Sequence, residues 1–298
     1  MNAAYAALFF VIFSLLLCGC VQQVSILGNV ESGVIGEGKI EAFPLSYSPG
    51  ERGEIVFNHP GENEVLACLM GKNYVGRREN VTYPRRRQPA DYWTSEEDQC
   101  QKTKYGEARW RLIAPSDAPE GKYTFRVRYY ADLTSNASIL LSVITPAERE
   151  SGTYQRSRAT YENGKISISV SLPDYLLLRE DKAEGDITLH FRGESMRIFD
   201  YHRFSFESKY PIIVREEEMQ KLFFSIHAPK NVRIDCDAER EKGMYVVEFF
   251  GKSYADVYCS VEVEARDVIS EKVYPITITA RYGYYGETSP VTLELSEE

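Results

Sequence analysis

Between Lys165 and Leu172 the chain reads KISISVSL, with Ile166, Ile168, Val170 and Leu172 at one phase of a two-residue period and Ser167, Ser169 and Ser171 at the other. Such alternation gives a strand one buried and one wetted face, as in an antiparallel sheet covered on one side only. The period returns in KYTFRVRYY (122–130), DITLHFRG (186–193), KLFFSIHA (221–228), MYVVEFF (244–250), VYCSVEVEA (257–265) and YPITITARYGYY (274–285). Gly, Pro, Asn and Asp separate the runs, and helical periodicity is nearly absent beyond about residue 30. Short alternating strands punctuated by turns predict an all-β chain of antiparallel β-sandwiches.

The first residues follow different rules. Residues 3–21, AAYAALFFVIFSLLLCGCV, carry no charge, and a run of about 20 apolar or small residues is just long enough to cross a bilayer as a helix. Its end, Leu17-Cys18-Gly19-Cys20, resembles a lipoprotein box, with Cys20 as the lipidated residue. The rival is an uncleaved anchor, favoured by the lack of Lys or Arg in MNAAYAA. Either way the expected partner is a membrane, reached through an N-terminal lipid or helix, and the expected location is its extracytoplasmic face. Residues 1–20 are read as signal or anchor and 21–30 as a glycine-containing tether. Sandwich domains at 31–146 and 159–298 then flank a polar linker at 147–158.

Four further cysteines, Cys68, Cys100, Cys236 and Cys259, fall two and two between these halves. That arithmetic predicts one disulfide per domain in an oxidising compartment, each worth about 3–4 kcal/mol on the chain-entropy account. The sequence lacks the close Cys pairs of a zinc site. The acidic runs SEEDQ and REEEMQK lack the ligand pattern of a calcium loop, so neither metal nor cofactor is expected. Asn80 and Asn136 head glycosylation sequons.

A net charge of −9 argues against a nucleic-acid partner. The one basic cluster, Arg85-Arg86-Arg87, lies between Pro84 and Pro89 and reads as an exposed loop. Catalytic signatures are missing: four histidines form no H-E-x-x-H, and there is no G-x-S-x-G, phosphate loop or dinucleotide fingerprint. Asp200 and His202 make a candidate pair with no nucleophile beside them in sequence. Tyr92 and Trp93, in a loop that Cys100 is expected to pin, are the candidate ligand-binding aromatics, against the alternative that Trp93 caps the core. Trp110, in EARWRLIA, reads as core.

The segments SYSPGERGEIVFNHPGENEVLACL (46–69), APSDAPEGKYTFRVRYY (114–130) and YPITITARYGYYGETSPVTLEL (274–295) resemble the turns and hairpins of CARDB-like, immunoglobulin-like domains on archaeal and bacterial cell surfaces. The resemblance implies two tandem immunoglobulin-like sandwiches on a cell-surface lipoprotein. The cysteines depart from the antibody pattern: the pairs are close in sequence and no Trp follows Cys68 at the usual spacing, so each bridge is expected to tie a strand to a neighbouring loop. The expected function is a non-catalytic adhesion, envelope or spacer module, with a glycan or envelope protein as partner. The alternative is a carbohydrate-binding receptor built on Tyr92 and Trp93.

Overall fold

A computed structural model describes residues 38–60, 64–71, 74, 92–103, 106–162, 164–266 and 268–296. Cys20, Asn80 and the Arg85–Arg87 cluster lie outside the described residues. Among the described residues no helix is long and apolar enough to cross a membrane.

Regular structure is almost wholly antiparallel sheet, and alternation places each strand. In the N-terminal half a four-stranded sheet runs β1 (Lys39–Phe43), β3 (Arg52–Asn58), β7 (Glu107–Ile113) and β5 (Thr94–Ser95). It faces β2 (Ser46–Tyr47), β4 (Leu66–Gly71), β6 (Cys100–Lys102) and the start of β8 (Gly121–Ile144). Ile55, Phe57, Trp110 and Leu112 from one sheet and Ala67, Leu69, Phe125 and Val127 from the other are buried in one core. Phe57 stacks on Tyr129 at 5.7 Å between ring centroids.

After β8 comes a short α-helix, α1 (Pro146–Ser151), which runs from the last residue of the first expected domain into the segment read as a linker. Its signals are in the sequence. The Thr145 side chain accepts from the Glu148 N–H, Pro146 opens the first turn and Gly152 closes it at φ +71°.

The C-terminal half contains β9 (Arg158–Glu162), β10 (Ile166–Ser171), β11 (Leu176–Arg179), β12 (Lys182–Gly193), β13 (Ile198–Phe199), β14 (Lys221–His227), β15 (Val232–Cys236), β16 (Arg240–Glu241), β17 (Met244–Glu248), β18 (Tyr254–Glu264), β19 (Glu271–Glu287) and β20 (Val291–Leu295). One layer is β10-β12-β18-β15. The other is β9-β8-β19-β14-β17-β16. Their inner faces meet at contacts such as Phe191 against Phe224, 5.3 Å between centroids.

The two halves share strands. β8 has 24 residues, an extended length of roughly 80 Å. Its first part lies in the N-terminal half and its last part in the C-terminal half, and the buried residues of both halves form one continuous core. β19 pairs with it without interruption from Glu271↔Ile144 to Glu287↔Arg128, and β20 returns to pair with Phe125 through Gly121. Glycine makes room on β19: a Cβ on Gly283 would sit 2.5 Å from the Phe199 ring, and one on Gly286 2.3 Å from Tyr129. KYTFRVRYY, read from sequence as a short strand, is thus one end of a strand that continues to Ile144.

A strap at 200–219 crosses the outer side of β4 and β6. Phe204, Phe206, Ile212, Val214 and Met219 pack on Leu66, Cys68, Cys100 and Tyr130, and the Cys100 N–H donates to the Lys209 carbonyl at 3.0 Å.

Candidate functional site

The residues singled out from sequence are not brought together. Trp93 has no exposed surface and Tyr92 only 6%. Pairing of β5 with β7 draws the preceding residue between the sheets, where the Trp93 ring meets Tyr47, Phe125 and Tyr123 edge-on at 5.0, 5.5 and 5.7 Å. Trp93 is therefore a core residue with no face to offer a ligand, which corrects the candidate aromatic site. Trp110 is buried as expected, its indole N–H donating to the Asp98 carbonyl at 3.1 Å.

Cys68 bonds to Cys100 and Cys236 to Cys259. Each bridge joins residues directly opposite on adjacent antiparallel strands, β4 with β6 and β15 with β18, rather than a strand to a loop. Local strand pairing explains the short separations of 32 and 23 residues. Asn136 sits mid-β8, half-buried between β9 and β19, its side-chain amide donating to Glu162 at 3.2 Å. A sequon acceptor belongs in a surface loop, and this residue is held in a sheet. Asp200 and His202 do pair, at 2.7 Å, but the imidazole packs against Tyr201 and Phe223 and the carboxylate also takes the His202 backbone N–H.

The group that tertiary structure does assemble lies on the outer face of the β10-β12-β18-β15 layer. Inward residues Ile187, Leu189 and Phe191 of β12, and Val257, Cys259 and Val261 of β18, are buried. Their neighbours must point to solvent. Register sets Ser169, His190 and Asp256 side by side, with Arg192 and Tyr254 one step along and Ser171, Thr188 and Tyr258 one step the other way. The His190 Nδ1 lies 2.8 Å from Asp256 Oδ1, and its Nε2 lies 2.8 Å from Ser171 Oγ. An ionised carboxylate only accepts, so neutral His190 carries its proton on Nδ1 and receives the Ser171 hydroxyl at Nε2. Farther along the same face Lys182 donates to Glu262; the bond holds the amine above and the carboxyl below their ordinary ranges. Glu184, Asp186, Asp235 and Glu262, with Arg233, line a neighbouring recess of about 500 Å³.

A Ser–His–Asp chain is the arrangement that activates a hydroxyl nucleophile, provided that donors also await the developing oxyanion. Here β12 is paired on both sides, by β10 and β18, so the ladders use the backbone N–H groups of β12 beneath His190, whereas β15 reaches β18 only at Cys259–Val263 and leaves the second side of β18 open at Asp256. Leu172 and Pro173 follow Ser171, and Pro has no N–H. The geometry fixes an imidazole and a hydroxyl at a solvent-facing surface. Sequence inspection missed it because Ser171 and Asp256 stand 19 and 66 residues from His190. Alternation alone would place each on an outer face; only register makes them neighbours. Among the described residues no group of three or more His, Cys, Asp or Glu is placed to hold a metal ion.

No family model matches the chain, and no curated protein matches it. Among solved structures it is similar to Escherichia coli alpha-2-macroglobulin activated by porcine elastase, with 8% identity and a TM-score of 0.20 over 91% of this chain and 23% of that one. Yersinia pseudotuberculosis adhesin InvE gives 9% identity and a TM-score of 0.20 over 90% and 62%. The collagen adhesin CNA from S. aureus gives 5% and 0.14 over 90% and 93%. The chain thus spans less than two thirds of the length of the first two. Its all-β, antiparallel fold class rests on its own strand pairing, with two pairs of facing sheets joined through β8 and β19.

Proposed function

We propose that this chain is a non-catalytic extracytoplasmic surface protein, held at a membrane by a lipid on Cys20 or by residues 3–21 as a helix, in which the paired sandwiches act as an adhesion, envelope or spacer module. The observation that carries the reading is the unbroken β8–β19 ladder, which gives both halves a common backbone in place of a hinge. A spacer or adhesin must transmit force along its chain, and a ladder of this length spreads load over many hydrogen bonds. The two disulfides support the oxidising compartment. The alternative of a receptor built on Tyr92 and Trp93 loses its aromatic faces to the core.

Two measurements test the reading. The intact mass of the protein purified from membranes of a lipidating host is expected to begin at Cys20 with an added lipid, or to be full-length if residues 3–21 remain as the anchor. A soluble, truncated and unlipidated product would defeat both forms of anchoring. Incubation of the full chain with a fluorophosphonate probe is expected to leave Ser171 unlabelled if the module is non-catalytic. Stoichiometric labelling that disappears in His190→Ala would replace the non-catalytic reading with a hydrolase.

A further inference from the structure

The outer face around His190 carries a feature that packing does not explain. Tyr254, the first residue of β18, and Tyr258 project from the outer face of the sheet with 49% and 61% of their surface exposed. Both lie on β18, one on each side of Asp256 and in phase with it. Four residues of strand put their Cα atoms roughly 13 Å apart. Lys252 lies over the ring of Tyr254 at 5.8 Å, and the backbone N–H of Tyr258 donates to Asp237 at 2.9 Å, so both residues are held at the surface. Between the rings stands the Asp256–His190–Ser171 network.

We propose that this face is a binding platform for a neutral polysaccharide, with Tyr254 and Tyr258 stacking on pyranose rings and the network between them meeting the sugar hydroxyls. An aromatic face suits the C–H side of a sugar ring, and an edge-bearing phenol adds a polar group at the rim. A polyhydroxylated ligand needs donors and acceptors held in place before it arrives, because each side chain ordered on binding costs free energy. His190 is fixed from both ring nitrogens, Ser171 and Asp256 keep acceptor capacity beyond the bonds they make, and Arg192 supplies donors from the next register position. Charge selects within the class. Arg192 and Asp256 offset each other, whereas the adjoining recess sets four carboxylates against Arg233, Lys182 on Glu262 and Arg240 on Asp235, a small acidic excess in a chain of net charge −9. An anionic polymer running along the sheet would meet that excess and the negative charge of the whole chain. A protein partner would call for a continuous apolar centre, while here each tyrosine is surrounded by polar neighbours. The inference rests on the surface-module reading for its setting, since glycans are met outside the membrane, but its chemistry stands independently of the anchor.

The test is native affinity electrophoresis of the full chain in detergent, in gels containing laminarin, yeast mannan, hydroxyethyl cellulose or, as the anionic comparison, alginate. At least one neutral polymer is expected to retard the protein, and alginate is not. Tyr254→Ala with Tyr258→Ala should weaken the retarding interaction about tenfold or more while moving the melting temperature by less than about 2 °C, as for exposed residues. Tyr254→Phe with Tyr258→Phe should retain most of it, and His190→Ala should fall between. If the double alanine variant melts early, Tyr258→Ser alone carries the same expectation. No retardation by any neutral polymer, retardation by alginate alone, or an unchanged affinity in the alanine variant would each overturn the platform. Retardation uses purified protein, so a failed membrane-anchoring result leaves it standing and the reverse also holds.

Discussion

In the N-terminal half the candidate aromatic, Trp93, and the disulfide Cys68–Cys100 are both sealed, one between the sheets and the other beneath the 200–219 strap. In the C-terminal half Tyr254 and Tyr258 stand in solvent on the outer face, and the disulfide Cys236–Cys259 lies on the edge strand β15 with Cys236 half-buried. Composition gives both halves aromatics, acids and one cysteine pair. The difference is phase and cover. A residue on the inner phase of a strand is core however suggestive its neighbours, and an outer-phase residue is surface unless another segment crosses it, as the strap does over β4 and β6.

The contrast breaks first at Trp93. Replacement by Ala should cost about 3–5 kcal/mol, the range for removing a large buried ring, read as a lower urea midpoint. A loss below about 1 kcal/mol, as at an exposed site, would return Trp93 to the surface. Replacing either cysteine pair with Ser should cost about 3–4 kcal/mol on the loop-entropy account. The sharper measurement is order: under limited reductant, mass spectrometry should find Cys236–Cys259 opened before the strap-covered Cys68–Cys100. Opening in the reverse order would mean that the strap does not protect its disulfide.

A smaller effect sits where the halves meet. Glu287 on β19 accepts from Arg128 and, at 3.0 Å, from Arg126 on β8. Burial acts to raise its pKa, but the Arg128 and Arg126 bonds outweigh it and hold the carboxyl below its ordinary value of 4.5. A depressed pKa stabilises the fold above the unfolded-state value and loses that contribution as pH falls through the folded one. Glu287→Gln should therefore cost about 1 kcal/mol at pH 7, discounted for solvent, and the difference from the parent should shrink on acidification below about pH 4.5. A pH-independent difference would assign the effect to packing. The smallest change is expected at Tyr258→Ala, within about 0.5 kcal/mol of the parent stability; a loss as large as that of Trp93 would mean that its ring supports the sheet.

Much of the fold was legible because alternation is a local property. All seven alternating runs quoted from the sequence fall on strands, from Lys122–Tyr130 within β8 to Tyr274–Tyr285 within β19. One feature was present but unread, the Thr145, Pro146 and Gly152 signals of α1, and one pointed the other way: Asp132, Ser135 and Asn136 in ADLTSN favour turns, yet β8 runs unbroken through them. The candidate site was not legible. Ser171, His190 and Asp256 are each unremarked outer-phase residues until β10 pairs with β12 and β12 with β18 in one particular register.

The sequence by itself determined strand content, the face each strand buries, the cysteine partners and the expectation of export, because each follows from near neighbours or from parity. Tertiary structure alone decided that both halves share β8 and β19, that Trp93 turns inward, and that two tyrosines and a Ser–His–Asp chain occupy one surface. Those outcomes depend on pairing between residues far apart in the chain, where a one-residue slip would send every side chain to the opposite face.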